Sequence, residues 1–187
     1  MMFSSDDVEY SHAEKAKLLK AMSFLLEVKV DANHMQRPLN PTPSSKKFHG
    51  SSPIECSVPF YMDEISKYGK WTHSTYLVSL IYLDRLLDRD PSISLDYLSF
   101  HRIMLGCFVL AQKFMGLREE SHTNKMYALI GGITNEEMNK IEKDIVFTLD
   151  FNLFVDRETF DMYFSVLEGW IMLDETVILV GHLLYLV

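Results

Sequence analysis

The sequence predicts an all-α protein in which five helices pack about a central one, with further helices before and after them. Apolar residues recur at helical spacing along most of the chain, and helix-capping signals separate the periodic segments. No stretch between Gly50 and Ile171 combines sustained apolar–polar alternation with hairpin turn signals. The run from Ile103 to Ala111 is apolar on every side, so we expect it to form the central helix.

The first fifty residues divide into two predicted segments. Residues 1–30 are predicted to contain one amphipathic helix, because apolar side chains recur there at helical spacing between charged ones. Residues 31–51 lose that periodicity and hold three of the six prolines, together with serines and a glycine. Such a segment buries too little apolar surface to offset the entropy of ordering, so we predict a flexible linker.

Residues 52–155 are predicted to form the domain proper, followed by C-terminal helices in residues 156–187. The opening signal combines Ser52 as N-cap, Pro53 in the first helical position and Glu55 in the position that completes a capping box. The helices are predicted at about 53–68, 73–90, 94–115, 125–129, 135–150, 157–171 and 176–187. Thr72 or Ser74 is the predicted cap of the second of these helices, and Thr134 that of the fifth.

Charge and composition exclude several classes of partner. The 18 basic and 26 acidic residues give a formal charge of −8, which disfavours binding to nucleic acids and to anionic membranes. No apolar run approaches the length of a membrane span. One of the two cysteines, Cys107, lies in an apolar run where a reduced thiol behaves as a small hydrophobe. We therefore expect a cytoplasmic or nuclear protein.

The chain lacks the patterns that carry enzyme chemistry. Its seven histidines do not pair at metal-binding spacing with each other or with cysteine. Gly131 and Gly132 precede a helix but lack the strand and lysine of a phosphate-binding loop. No nucleophile, base and orienting group converge in the sequence. We expect no catalytic activity, no metal site and no cofactor.

Three blocks of sequence, in order, resemble the cyclin box, a domain of five helices. They are Tyr82–Leu87 at the end of the second helix of the domain, Ala111–Phe114 at the end of the third, and Ile141–Leu153 on and after the fifth. The stretch Gly131–Asn139 resembles the corresponding element of the P/U-type cyclins, a group that includes a phosphate-signalling member. The resemblance covers about Phe48–Tyr163.

The resemblance implies a kinase-binding site. In cyclins, a lysine and a glutamate at the positions of Lys113 and Glu142 bond to each other and to the kinase backbone. From spacing alone, Lys113 would instead be a cation near a helix C-terminus, and Glu142 a solvated residue beside the apolar stripe. The implied apolar contacts, of which Leu110 and Leu153 fit the core equally well, are Leu110, Phe114, Val146, Phe151 and Leu153.

One position departs from the pattern of mitotic cyclins. There, the aspartate matched by Asp84 pairs with an arginine in a Met-Arg-Ala-Ile-Leu motif, but this chain has Ile54–Val58 instead. A buried carboxylate without a partner is strongly destabilising. We therefore assign Asp84 a structural role and expect it to find another partner or to lie near solvent.

The resemblance implies a regulatory subunit that binds and activates a cyclin-dependent serine/threonine kinase, in cell-cycle control or in nutrient and phosphate signalling. Such a subunit is expected to be monomeric when alone. Two alternatives remain open: a scaffold with the same fold that does not activate a kinase, and a transcription-associated module like the related factors that bind DNA.

Overall fold

The computed structural model describes the backbone of residues 11–36, 47–53, 55–116 and 123–184, with side chains up to residue 172. The described residues contain α-helices and no strand, which confirms the predicted all-α class. In chain order the helices are α1 His12–Met35, α2 Val58–Gly69, α3 His73–Arg89, α4 Phe100–Phe114, α5 Asn124–Ile130, α6 Asn135–Thr148 and α7 Arg157–Leu184.

Helix α4 is the central helix, as its apolar sequence predicted. Every residue from Ile103 to Gln112 is buried, and α4 packs against α3, α5 and α6. The approach of α4 to α6 depends on Gly106, where an added Cβ would lie 2.4 Å from the Cδ1 atom of Ile145. This close contact fixes the relative position of the two helices.

An aromatic stack joins three other parts of the domain. Trp71, between α2 and α3, stacks on Phe108 of α4 and Tyr127 of α5 with centroid distances of 5.2 and 5.3 Å. Its indole Nε1 donates to the carbonyl of Ile65, 3.1 Å away. The buried ring is therefore stacked against two other aromatic rings and hydrogen-bonded at its edge.

Helix α1 packs against α2, α3 and α7 with a buried stripe of Leu18, Met22, Leu26 and Val30. It continues to Met35, beyond its predicted end at residue 30, so the first residues of the predicted linker are helical. One reason is a tertiary contact, because the side-chain amide of Asn33 donates to the carbonyl of Leu95 at 3.1 Å.

The end of the predicted linker also packs on the domain. Phe48 is buried, and the backbone N–H of Gly50 donates to the carbonyl of Leu98 at 2.8 Å. Residues 37–46, which carry the linker prolines, lie outside the described residues.

Three further predicted helix boundaries were wrong. Helix α2 begins at Val58 rather than after Ser52, because Ser57 is the N-cap and accepts from the N–H of Phe60 at 3.3 Å. Helix α4 begins at Phe100 rather than near residue 94, since residues 94–99 form turns held by side-chain bonds of Asp96 and Ser99. The two predicted C-terminal pieces are one continuous helix, α7, because nothing in their polar junction forbids helical backbone.

None of the helices, within the part of the chain that was searched, is long and apolar enough to cross a membrane.

Candidate functional site

The centre of the candidate site is an ion pair between α4 and α6. Lys113 lies in the last turn of α4, and its Nζ atom is 2.6 and 2.7 Å from the two carboxylate oxygens of Glu142 in the middle of α6. Both side chains are about one-fifth exposed. The Gly106 contact positions the two helices that carry them. The contact between these residues that the resemblance implied is therefore present.

Asn124, which the sequence reasoning missed, completes the polar centre. It occupies the first position of α5, and its side-chain Nδ2 atom donates to Glu142 at 2.6 Å and to Asn139 at 2.7 Å. The only signal in the sequence is its place after the N-cap Thr123, which gives no indication of a bond to α6. The carboxylate of Glu142 thus accepts from two elements and is held in one orientation.

Exposed aromatic rings lie at the C-terminal ends of the two helices that carry this polar centre. Phe114 directly follows Lys113 and is 41% exposed, and Phe151, just after α6, is 62% exposed. Phe147, a second residue that sequence reasoning missed, contacts Phe151 at a centroid distance of 5.2 Å and is also exposed. Exposed aromatic clusters rimmed by polar groups mark binding surfaces. We use the name aromatic face for Phe114 at the end of α4 together with the contacting pair Phe147 and Phe151 at the end of α6.

The other predicted contact residues are less accessible. Val146 and Leu153 are half-buried. Leu110 is only 4% exposed and packs in the core of the free chain. Among the apolar residues that were predicted to contact a kinase, Phe114 and Phe151 therefore offer the most exposed surface.

The backbone after α6 has an unusual conformation. Asp150 and Phe151 have φ angles of 52° and 57°, in the left-handed region that residues other than glycine rarely adopt. The N–H groups of Asp150 and Phe151 donate to the carbonyls of Phe147 and Val146, which is the Schellman pattern of helix ends. Each left-handed residue costs on the order of 1–2 kcal/mol, so other contacts must stabilise this turn.

Asp84 has two partners that replace the missing arginine. Its Oδ1 atom lies 3.2 Å from Nζ of Lys29 on α1, and its Oδ2 atom accepts from the hydroxyl of Tyr163 on α7 at 3.0 Å. Burial, and next the charge of Asp84, raise the pKa of the Tyr163 hydroxyl above its ordinary value. The expected alternative partner therefore exists, and Asp84 links both flanking helices to α3.

The site offers binding surface rather than reactive groups. Glu142 is bonded to Lys113 and Asn124, and the neighbouring aromatic rings carry no reactive group. Within the described ranges that were searched, no three His, Cys, Asp or Glu residues are grouped so that they could hold a metal ion. The arrangement can therefore present a fixed polar pair, and exposed apolar rings at the ends of the same two helices, to a partner protein.

Comparisons with known proteins agree with this architecture. A model of the family described as "Cyclin" matches residues 10–153, which include α1 and therefore begin before Phe48, where the sequence resemblance begins, and end before Tyr163, where it ends. Cyclin-U4-1 of Arabidopsis thaliana is 36% identical over 155 residues, covering 82% of this chain and 75% of that protein.

Two further relatives come from other organisms. Cyclin-P3-1 of Oryza sativa subsp. japonica is 35% identical over 171 residues, covering 91% of this chain and 69% of that protein. The PHO85 cyclin-like protein psl1 of Schizosaccharomyces pombe is 30% identical over 177 residues, covering 88% of this chain and 72% of that protein.

Proposed function

Because the chain belongs to the cyclin family, we propose that it is a regulatory subunit that binds and activates a cyclin-dependent protein kinase. The observation that carries this proposal is the Lys113–Glu142 pair, with distances of 2.6 and 2.7 Å, on the two helices whose ends carry the aromatic face. A fixed charged pair offers both donors and acceptors to a kinase backbone, and the exposed rings offer apolar surface to bury.

The proposed mechanism is positional. Phosphoryl transfer by a protein kinase needs its own lysine–glutamate pair in place and an ordered activation loop, both of which depend on one mobile helix of the kinase. Helices α4 and α6 form a packed surface that could hold that helix inward. Lys113 and Glu142 set the register of the contact, and the aromatic face supplies apolar area at about 25 cal/mol per Å² buried.

The names of the relatives favour one kind of kinase. The fission-yeast relative is called PHO85 cyclin-like, and the two plant relatives carry P-type and U-type names. We therefore propose a PHO85-type cyclin-dependent kinase as the partner, and nutrient or phosphate signalling ahead of cell-division control as the role.

The test is a titration of the purified chain against a panel of purified cyclin-dependent kinases that includes a PHO85-type member. Affinity and kinase activity are measured for wild type and for the double variant Lys113→Ala/Glu142→Ala, which should bind ~10-fold or more weakly because charged hydrogen bonds are lost. The matched control is Glu64→Ala/Lys67→Ala, an exposed ion pair of 2.7 Å on α2. Equal binding by wild type and the Lys113/Glu142 variant would sink the proposed interface.

A scaffold without kinase activation is the second candidate, because α1 and α7 also expose apolar side chains. Phe24 on α1 contacts Trp170 on α7 at a centroid distance of 6.3 Å, and Val28, Met162 and Val166 are exposed on the same two helices. Light scattering of the isolated chain separates the candidates. A kinase subunit is expected to be monomeric, whereas a self-associating scaffold is expected to give a dimer mass.

A further inference from the structure

Helix α3 donates three hydrogen bonds to the loop that follows α6. The hydroxyl of Tyr82 donates to the carbonyl of Leu153 at 2.7 Å. One nitrogen of the Arg85 guanidinium, Nη1, donates to the carbonyls of Asn152 and Phe154 at 3.1 and 2.8 Å. The sequence predicts no role for Arg85 in the site, because the resemblance implies a role only for its neighbour Asp84.

The loop needs such support, because its conformation is unfavourable in two respects. Asp150 and Phe151 are both left-handed, with φ angles of 52° and 57°. Phe151 and Phe154 are 62% and 60% exposed, so the loop holds two large apolar rings in water. A free loop would relax its backbone and fold these rings against nearby apolar surface.

Resting on the proposed function, we propose that Arg85 is a positioning residue for kinase binding, which holds the loop of residues 150–154 so that Phe151 stays presented on the aromatic face. Arg85 itself need not touch the kinase. It acts by keeping the bound conformation populated in the free chain, which avoids an ordering cost on association.

Arginine suits this task because its charge strengthens both bonds to carbonyl oxygens. Arg89, one turn further along α3, contacts the same loop through an ion pair with the exposed carboxylate of Asp150, in which the nitrogen and oxygen are 3.8 Å apart. Such an exposed ion pair adds little to the stability of the loop. A lysine at position 85 could reach a carbonyl but has a flexible stem and a compact head.

The test compares three full-length variants on the kinase that binds wild type most tightly in the panel above. Arg85→Gln should weaken binding ~10-fold, because two charge-assisted bonds are lost, and Arg85→Lys should restore part of that loss. The matched control is Arg157→Gln, whose guanidinium is exposed and bonds to Asp161 within α7. Amide exchange at residues 151–153 should rise in Arg85→Gln and not in the control.

A double-mutant cycle with Phe151→Ala separates positioning from a general loss of stability. If Arg85 acts by presenting Phe151, the double variant should bind about as weakly as Phe151→Ala alone, since the two changes remove one interaction. Additive losses, or unchanged affinity in Arg85→Gln while Lys113→Ala weakens binding, would overturn the proposal and leave the proposed function standing. If neither Arg85→Gln nor Lys113→Ala changed the affinity for the kinase, both the proposed interface and the proposed role of Arg85 would be wrong.

Discussion

At the scale of single residues, the site depends on how the carboxylate of Glu142 is held. Lys113 neutralises its charge, while Asn124 binds one of its oxygens from a different helix. A glutamate with only the lysine as partner would keep several rotamers of similar energy. The amide therefore adds orientation, which matters when a backbone group of a partner must meet that oxygen.

We predict that Asn124→Ala weakens kinase binding by ~3–10-fold, less than loss of the ion pair, because one hydrogen bond to a charged group is removed. Asn139→Ala is the control, since this exposed residue accepts from the same Asn124 amide but is not a member of the ion pair. The same kinase titration measures both. An Asn124→Ala variant with wild-type affinity would show that the ion pair needs no orienting partner.

His101 makes folding stability depend on pH. Burial, followed by the charge of Arg102, lowers the pKa of His101 to about 4, whereas an unfolded histidine titrates near ~6.5. Between these values the unfolded chain binds a proton that the folded chain does not. The contribution of the neutral His101 to the free energy of unfolding is therefore fully present above pH ~6.5 and is lost as the pH falls toward 4.

We predict that this one group removes about 2 kcal/mol of unfolding free energy between pH 7 and pH 5. Denaturant unfolding of wild type and His101→Gln at both pH values measures the difference. The variant should show a shallower fall with pH, while His12→Gln, at the exposed start of α1, should follow wild type. Parallel curves for wild type and His101→Gln would contradict the prediction.

At the scale of elements, the distance between α4 and α6 controls the ion pair. Gly106 allows the two helices to meet, because it has no Cβ atom. A Cβ at this position would lie 2.4 Å from the nearest atom of Ile145 and 2.7 Å from the nearest atom of Ile141. The helices then carry Lys113 and Glu142 in register. A change in this packing is therefore expected to affect both stability and the kinase-binding surface.

Gly106→Ala is predicted to lower the unfolding free energy by about 1–3 kcal/mol, as overpacking does in other cores, and to weaken kinase binding. Adding Ile145→Val should recover part of both, since it deletes the Cδ1 atom that clashes. Thermal unfolding and the kinase titration measure the two effects. Failure of Ile145→Val to rescue Gly106→Ala would mean that the contact does not set the helix spacing.

At the scale of the whole molecule, the sequence predicted what depends on local pattern. The all-α class followed from periodicity, and the burial of α4 followed from a run that is apolar on every side. The predicted cap Thr134 of α6 is confirmed, and the cap of α3 is Thr72, one of the two predicted candidates. These features depend on residues within a few positions of each other, so they can be read from one segment at a time.

Features that depend on distant residues were missed. The sequence predicts that α2 begins after Ser52, because two Ser and Pro signals lie within a few residues of each other, whereas the structure uses Ser57 as the N-cap. The bonds of Asn124 to α6, and of Lys29 and Tyr163 to Asp84, join residues far apart in the chain. Without a family pattern, nothing in the sequence indicates these pairings.

The stack around Trp71 also supplies an optical signal. The chain has two tryptophans, and the described structure places them in contrasting surroundings, with Trp71 5% exposed inside the domain and Trp170 41% exposed on α7. Replacing Trp170 by phenylalanine would leave a single emitter, whose fluorescence maximum reports on the five-helix core. Replacing Trp71 instead would leave an emitter that follows the last helix, so detachment of α7 and melting of the core can be observed separately.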